Sequence, residues 1–208
     1  MLTILVANVK GGCGKTTIAT HLAAAFANGG LNTVLADADR QRSSLGWLKR
    51  RPKADAAITG QDWTKEIVKT PKRCDRLVID APAALRIKQA EDFIRAADIV
   101  VVPVLPSAFD EKATTRFLKR IDALKPIRKS KTDVAVVGNR MRARTRAGVR
   151  LEEFLAGQGH LVAARIRDSA FYAELAADGR ALFDLTTKRA AGLALDWDPL
   201  IATVERSG

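Results

Sequence analysis

Apolar runs alternate with stretches of helical period along nearly the whole chain. Thr3–Val9, Thr33–Asp37, Arg76–Asp80, Ile99–Val104, Asp133–Asn139 and Leu161–Ile166 read as strands. Several are continuously apolar, the pattern of strands covered on both faces. Between them, Thr17–Asn28, Ser43–Arg50, Trp63–Lys69, Ile87–Ala96, Glu111–Ala123, Val149–Ala156 and Ser169–Ala177 read as helices, and Pro199–Arg206 as a short last one. Strands alternating with helices predict an α/β fold, a doubly wound and mostly parallel sheet with helices on both faces. Such sheets bind ligands at the carboxyl ends of their strands. No repeat or low-complexity tract interrupts the pattern, and the basic connection Lys125–Lys131 is too short to separate domains. Residues 1–208 are therefore expected to form one domain.

Composition narrows the class. A chain of 208 residues can bury a sizeable core. It has no apolar stretch long enough to span a bilayer, and Met1-Leu2-Thr3 runs straight into strand-like sequence without a basic leader or cleavage site. Cys13 and Cys74 make no disulfide framework and read as reduced thiols of a cytoplasmic protein. The formal net charge of +12 points to a polyanionic partner: nucleic acid, anionic membrane or acidic protein. The same excess could be a solvated basic face, because charge alone carries little specificity.

The stretch Lys10-Gly11-Gly12-Cys13-Gly14-Lys15-Thr16-Thr17 lies between the first strand and an Ala-rich helix. Strand, glycine loop and helix form the setting of a phosphate-binding loop. Glycines let backbone N–H groups approach a polyphosphate, and the helix N-terminus adds positive charge. Lys15 is placed to reach the β/γ-phosphates of a nucleotide and the Thr16 hydroxyl to ligate Mg²⁺. The strict pattern G-x-x-x-x-G-K-[ST] would need glycine at Val9; what stands is K-G-G-x-G-K-T, with an additional lysine. This loop resembles the deviant Walker A loop of the ParA/MinD superfamily of dimeric ATPases. The resemblance implies that Lys10 reaches across a nucleotide-sandwich dimer to the other subunit's ATP.

Further candidates follow at strand ends. Asp37 and Asp39, at i and i+2 after the second strand, leave it on the same side. They suit phosphoryl transfer, which needs a group to orient water and groups to hold the metal's shell; capping of the next helix is the other use of such aspartates. The run is similar to the D-x-D-P-Q segment of ParA proteins, which implies Asp39 for the attacking water and Asp37 for Mg²⁺, with Arg40 standing in place of proline. Arg76-Leu77-Val78-Ile79-Asp80 has the form of a Walker B element, whose aspartate binds the Mg²⁺ shell. Ile99 to Ser107 also resembles the family, in which an aspartate at the position of Asp110 approaches the dimer partner. Asn139 offers a donor and an acceptor to an adenine edge, or is a turn residue after a strand; the resemblance implies base contact there, extended to Arg140. Arg167-Asp168 resembles the family's late nucleotide-side loop.

The resemblance runs from Met1 to about Leu185, without a leading helix-turn-helix segment, as in short plasmid ParA proteins of the ParF type. Arg142, Arg144 and Arg146 form the densest basic run, Lys125 to Lys131 a second, and Lys188-Arg189 a third. Aromatics are not interleaved with these charges, which disfavours single-strand stacking and leaves duplex DNA bound through phosphates. Alternatively, the arginine run closes over the nucleotide. The family implies an ATP- and Mg²⁺-dependent homodimer on the nucleoid, a ParB-like activator or cargo adaptor, and a plasmid, chromosome region, chemoreceptor cluster or carboxysome as cargo. A MinD-like membrane-associated regulator of division-site placement is the alternative, disfavoured by the short acidic ending from Asp196. An iron–sulfur electron carrier is disfavoured because Cys13 belongs to the loop, leaving only Cys74.

Overall fold

The alternation of strand and helix closes into one parallel sheet in the computed structural model, which describes residues 1–83 and 87–207. Its strands are β1 Leu2–Val6, β2 Thr33–Asp37, β3 Ile58–Asp62, β4 Arg76–Asp80, β5 Ile99–Val104, β6 Asp133–Met141 and β7 Leu161–Arg167, in the order β3-β2-β4-β1-β5-β6-β7. Every pairing among them is parallel. The helices are α1 Lys15–Asn28, α2 Ser43–Arg50, α3 Ile87–Ala96, α4 Ala108–Asp122, α5 Lys125–Arg128, α6 Arg146–Ala156, α7 Phe171–Ala177, α8 Lys188–Ala194 and α9 Asp198–Arg206, with a 3-10 turn at Leu182–Asp184.

Successive strand residues supply two different cores, as side chains alternate across a strand. Ile4, Val6, Leu35, Val78, Ile99 and Val101 pack with Ile18 and Leu22 of α1 and with Trp197, Leu200 and Val204 near the C-terminus. Leu5, Val34, Leu77, Ile79, Val100 and Val102 pack on the other face with Phe93, Phe117, Leu118 and Leu151. Chain direction across the sheet reverses around the central β1 and β4, so their carboxyl ends mark the topological switch point. The phosphate-loop sequence follows one and Asp80 ends the other. A buried pair, Arg51 to Asp184 at 2.6 Å, fastens the end of α2 to the 3-10 turn.

Several sequence expectations change. The first strand ends at Val6, not Val9. The expected helix Trp63–Lys69 does not form. Asp62 instead takes the Thr64 N–H (3.0 Å) and hydroxyl (2.6 Å) into a side-chain turn, and Trp63 buries itself near Phe93 with ring centroids 6.3 Å apart. Ile67 and Val68 stay exposed, so the segment has no apolar stripe to bury, and a short helix without one is marginal. The edge strand β3, the short helix α5 and the helix α8 are additions to the sequence reading.

Candidate functional site

The loop takes its shape from glycine backbones. Gly12 and Gly14 have φ of 78° and 97°, a left-handed region that favours glycine. At Gly14 a side chain is excluded twice over, because a Cβ there would lie 2.1 Å from Asn139 Nδ2. α1 starts at Lys15 with no side-chain cap, so its first N–H groups face the loop. Lys15 is buried and donates from Nζ to the Lys10 carbonyl (3.0 Å), which also accepts from Cys13 Sγ (3.2 Å). Burial pushes the Cys13 thiol up, against the Lys15 charge. Cys13 is thus a buried part of the loop, and Gly11 touches the chain after β4, its Cβ position being 3.9 Å from that of Ala83.

Beneath the loop the Thr16 hydroxyl donates to Asp80 Oδ2 at 2.8 Å. The other carboxylate oxygen, Oδ1, is buried with no partner among the described residues. Burial, with the adjacent Asp37 charge adding, pushes the Asp80 carboxyl up to about 7 despite the Thr16 bond. A hydroxyl beside a desolvated carboxylate with a spare oxygen is a hard donor set of the type Mg²⁺ takes with phosphates and water, so Thr16 and Asp80 fit that ion. Asp37 stands level with Asp80 across β2 and β4, but both its oxygens accept backbone N–H groups, from Asp39 (3.0 Å) and from Leu45 of α2 (3.0 Å). Its visible work is to cap α2 and shape the turn that presents Asp39. Asp39 is half-buried, accepts the Gln41 N–H at 2.9 Å, and lines a cleft of about 600 Å³ with Arg40, Gln41, Thr64, Lys65, Pro82 and Ala83.

A second cleft, of about 500 Å³, opens beside the start of α1 between the ends of β6 and β7. Thr17, Asn139, Arg140, Arg142, Asp168 and Tyr172 are among its walls. Asn139 is buried and donates to the Cys13 carbonyl at 2.8 Å, so its amide holds the loop. Arg140 and Asp168 face the cleft. Arg167 does not line it: its Nε donates to Asp196 at 2.7 Å and its Nη2 donates to the Gly192 carbonyl. Arg142 donates to Asp168 (2.7 Å), which brings one member of the basic run to the cleft rim. Arg144 and Arg146 remain exposed without an ion pair among the described residues. On α8, Lys188 is exposed, while Arg189 pairs with Glu174 (3.2 Å) and lies 4.0 Å over the Phe171 ring.

One residue central to the loop escaped the sequence reading. Asn8 reads in the sequence as part of an apolar run, yet it is buried and makes three polar contacts: to Pro103 O (2.8 Å), to Thr114 Oγ1 (2.9 Å) and from Lys10 N (3.3 Å). The available signal was a lone amide inside an apolar run directly ahead of the glycines.

Comparison with known proteins identifies the family and the fold. The family profile described as CobQ/CobB/MinD/ParA nucleotide binding domain matches residues 4–182. The chain is 28% identical over 190 residues to the maintenance of carboxysome distribution protein A of Halothiobacillus neapolitanus, covering 88% of this chain and 87% of that protein. It is 30% identical over 125 residues to protein ParA of Rhizobium radiobacter, covering 58% of this chain and 56% of that protein. Apo McdA of Cyanthece superposes with a TM-score of 0.75 at 15% identity, covering 100% of this chain and 99% of that one; this is a likeness of fold.

Proposed function

The chain belongs to the CobQ/CobB/MinD/ParA nucleotide-binding domain family, and we propose that it is a slow ATPase that dimerises on ATP and positions a cargo over DNA. The observation that carries the reading is the contact between Thr16 and Asp80 beneath a loop with two lysines, leaving one buried carboxylate oxygen over. Lys15 exchanges the Lys10 carbonyl for the terminal phosphates when nucleotide binds. Thr16 and Asp80 would hold Mg²⁺, which would supply charge neutralisation to the phosphates, with Asp37 shaping the adjacent turn. Asp39 orients the attacking water from the cleft beside Ala83. Backbone N–H groups of Gly11 to Thr17 cradle the phosphates, and Arg140 and Asp168 flank the base in the second cleft. Arg167 supports that wall through Asp196.

Lys10 acts on the nucleotide of the other subunit, so ATP is part of the dimer contact. DNA binding is electrostatic and indifferent to sequence, through Arg144, Arg146 and Lys188, with Arg142 and Arg189 partly neutralised by their acidic neighbours. A ParB-like adaptor stimulates hydrolysis and links the ATPase to cargo. The likeness to a carboxysome-distribution protein and to a ParA protein supports positioning work, which we place on the nucleoid in the cytoplasm. The test is single-turnover hydrolysis and nucleotide binding in two variants. Lys15→Ala should lose nucleotide binding, whereas Asp39→Ala should bind ATP and not turn it over. Hydrolysis at the wild-type rate in Asp39→Ala removes the assignment of that carboxylate.

A further inference from the structure

We propose that Asn8 is a positioning residue for Lys10, and that Thr114 couples its setting to helix α4. The inference rests on the reading that Lys10 acts across the dimer. The Lys10 backbone is held on both sides of its Cα. Its carbonyl accepts from Cys13 and Lys15, both within the loop. Its N–H donates to Asn8 Oδ1, and that bond links it to the body of the protein.

Asn8 is well fixed for this task. Its side chain is fully buried, and both N–H bonds of its amide are used, one on the Pro103 carbonyl of β5 and one on the Thr114 hydroxyl of α4. The Pro103 carbonyl can only accept, so the amide cannot turn over without setting two oxygens against each other. The orientation of Oδ1 toward Lys10 follows. Thr114 is fully buried, and Asp110, four residues earlier, lies on the same face of α4 and is also buried. A polar stripe of α4 therefore backs the start of the loop, where apolar packing would have sufficed for the fold. Rotation or translation of α4 would move Thr114, then the Asn8 amide, then the root of Lys10. Lys10 is the residue that must reach furthest, so small errors at its root are amplified at its ammonium group.

The experiment measures affinity for a slowly hydrolysed ATP analogue and analogue-dependent dimerisation by sedimentation. The full chain is compared as wild type, Asn8→Ala, Thr114→Val, Thr114→Ser and Lys10→Ala. Asn8→Ala should weaken dimerisation by about tenfold or more while analogue affinity changes by less than about threefold, the size of effect expected from loss of a buried hydrogen-bonded amide. Thr114→Val, which keeps the side-chain shape, should shift dimerisation in the same direction by about threefold to tenfold, and Thr114→Ser should restore it. Unchanged dimerisation in Asn8→Ala or in Thr114→Val overturns the proposal, and so does parallel loss of analogue affinity, the mark of a merely structural role. If Asn8→Ala does not fold, the Thr114→Val and Thr114→Ser pair decides alone. Unchanged dimerisation in Lys10→Ala overturns the reading of Lys10 itself, and this inference with it.

Discussion

Two glycines of one loop should respond differently to the same substitution. At Gly12 the surroundings are open, so Gly12→Ala meets only the left-handed backbone penalty, about 1 kcal/mol. At Gly14 a methyl group collides with the Asn139 amide that ties the loop to β6, so Gly14→Ala should cost a further 1–3 kcal/mol, roughly, and most nucleotide binding. Thermal melts with a nucleotide titration of both variants check the contrast; equal losses would contradict the Asn139 contact. Two buried groups set opposite pH slopes. His21 is buried against Trp197, its ring centroid 4.7 Å away, and burial lowers it to about 4. The folded state then binds its proton less readily than the unfolded state, so stability falls as pH drops from 6.5 toward 4. Asp80, raised to about 7, does the reverse: the folded state holds the proton more tightly, and stability falls as pH rises from about 4 to 7. The two slopes largely cancel in the nucleotide-free protein. Asp80→Asn keeps the shape and removes one of them. It should be more stable than wild type at pH 8, by up to about 4 kcal/mol, and should lose stability steeply below pH 6.5. Urea midpoints between pH 4.5 and 8 test this, and identical profiles for the two proteins would contradict it.

At the scale of elements, the basic run divides. Arg142 is drawn to Asp168 at the rim of the second cleft, while Arg144 and Arg146 stand at the start of α6 and face solvent. Arg142→Ala should therefore change nucleotide affinity. The pair Arg144→Ala and Arg146→Ala should weaken binding to unrelated DNA duplexes and flatten its salt dependence by a slope of about two per chain, about four per dimer. Filter or anisotropy titrations at several salt concentrations separate the effects, and DNA binding untouched in the double variant would move the surface to another basic cluster. The central strands and α1 were legible because each carries an uninterrupted apolar run or stripe. β3 was not, because Ile-Thr-Gly-Gln-Asp at a sheet edge has little to bury. α8 was missed for a similar reason, Ala190 being its buried residue. The stretch from Trp63 misled because its tryptophan is an anchor to the other core rather than part of a helical stripe. The places of the loop and of the aspartates at strand ends were readable from the sequence, while their roles rest on the family resemblance. The work of Asn8 and of Asn139 was not, since each depends on a partner about 100 residues away or more in sequence: Thr114 for one and the Cys13 carbonyl for the other.

At the scale of the molecule, the parallel sheet brings the carboxyl ends of β1, β2, β4 and β6 to one edge, and with them the loop, both aspartates after β2, Asp80 and Asn139. One chain brings together a glycine loop, the Thr16–Asp80 pair and a cleft of about 500 Å³. The second lysine has no evident task within that set, since Lys15 already occupies the inside of the loop. A net charge of +12 opposes self-association of two copies, and nucleotide phosphates between them would offset part of that repulsion. On this reading ATP completes the dimer. Sedimentation of the wild-type protein with Mg²⁺ and a slowly hydrolysed ATP analogue, against the same protein with ADP, decides it. Two chains per particle are expected with the analogue and one with ADP; a single chain under both conditions would rule out an ATP-completed dimer.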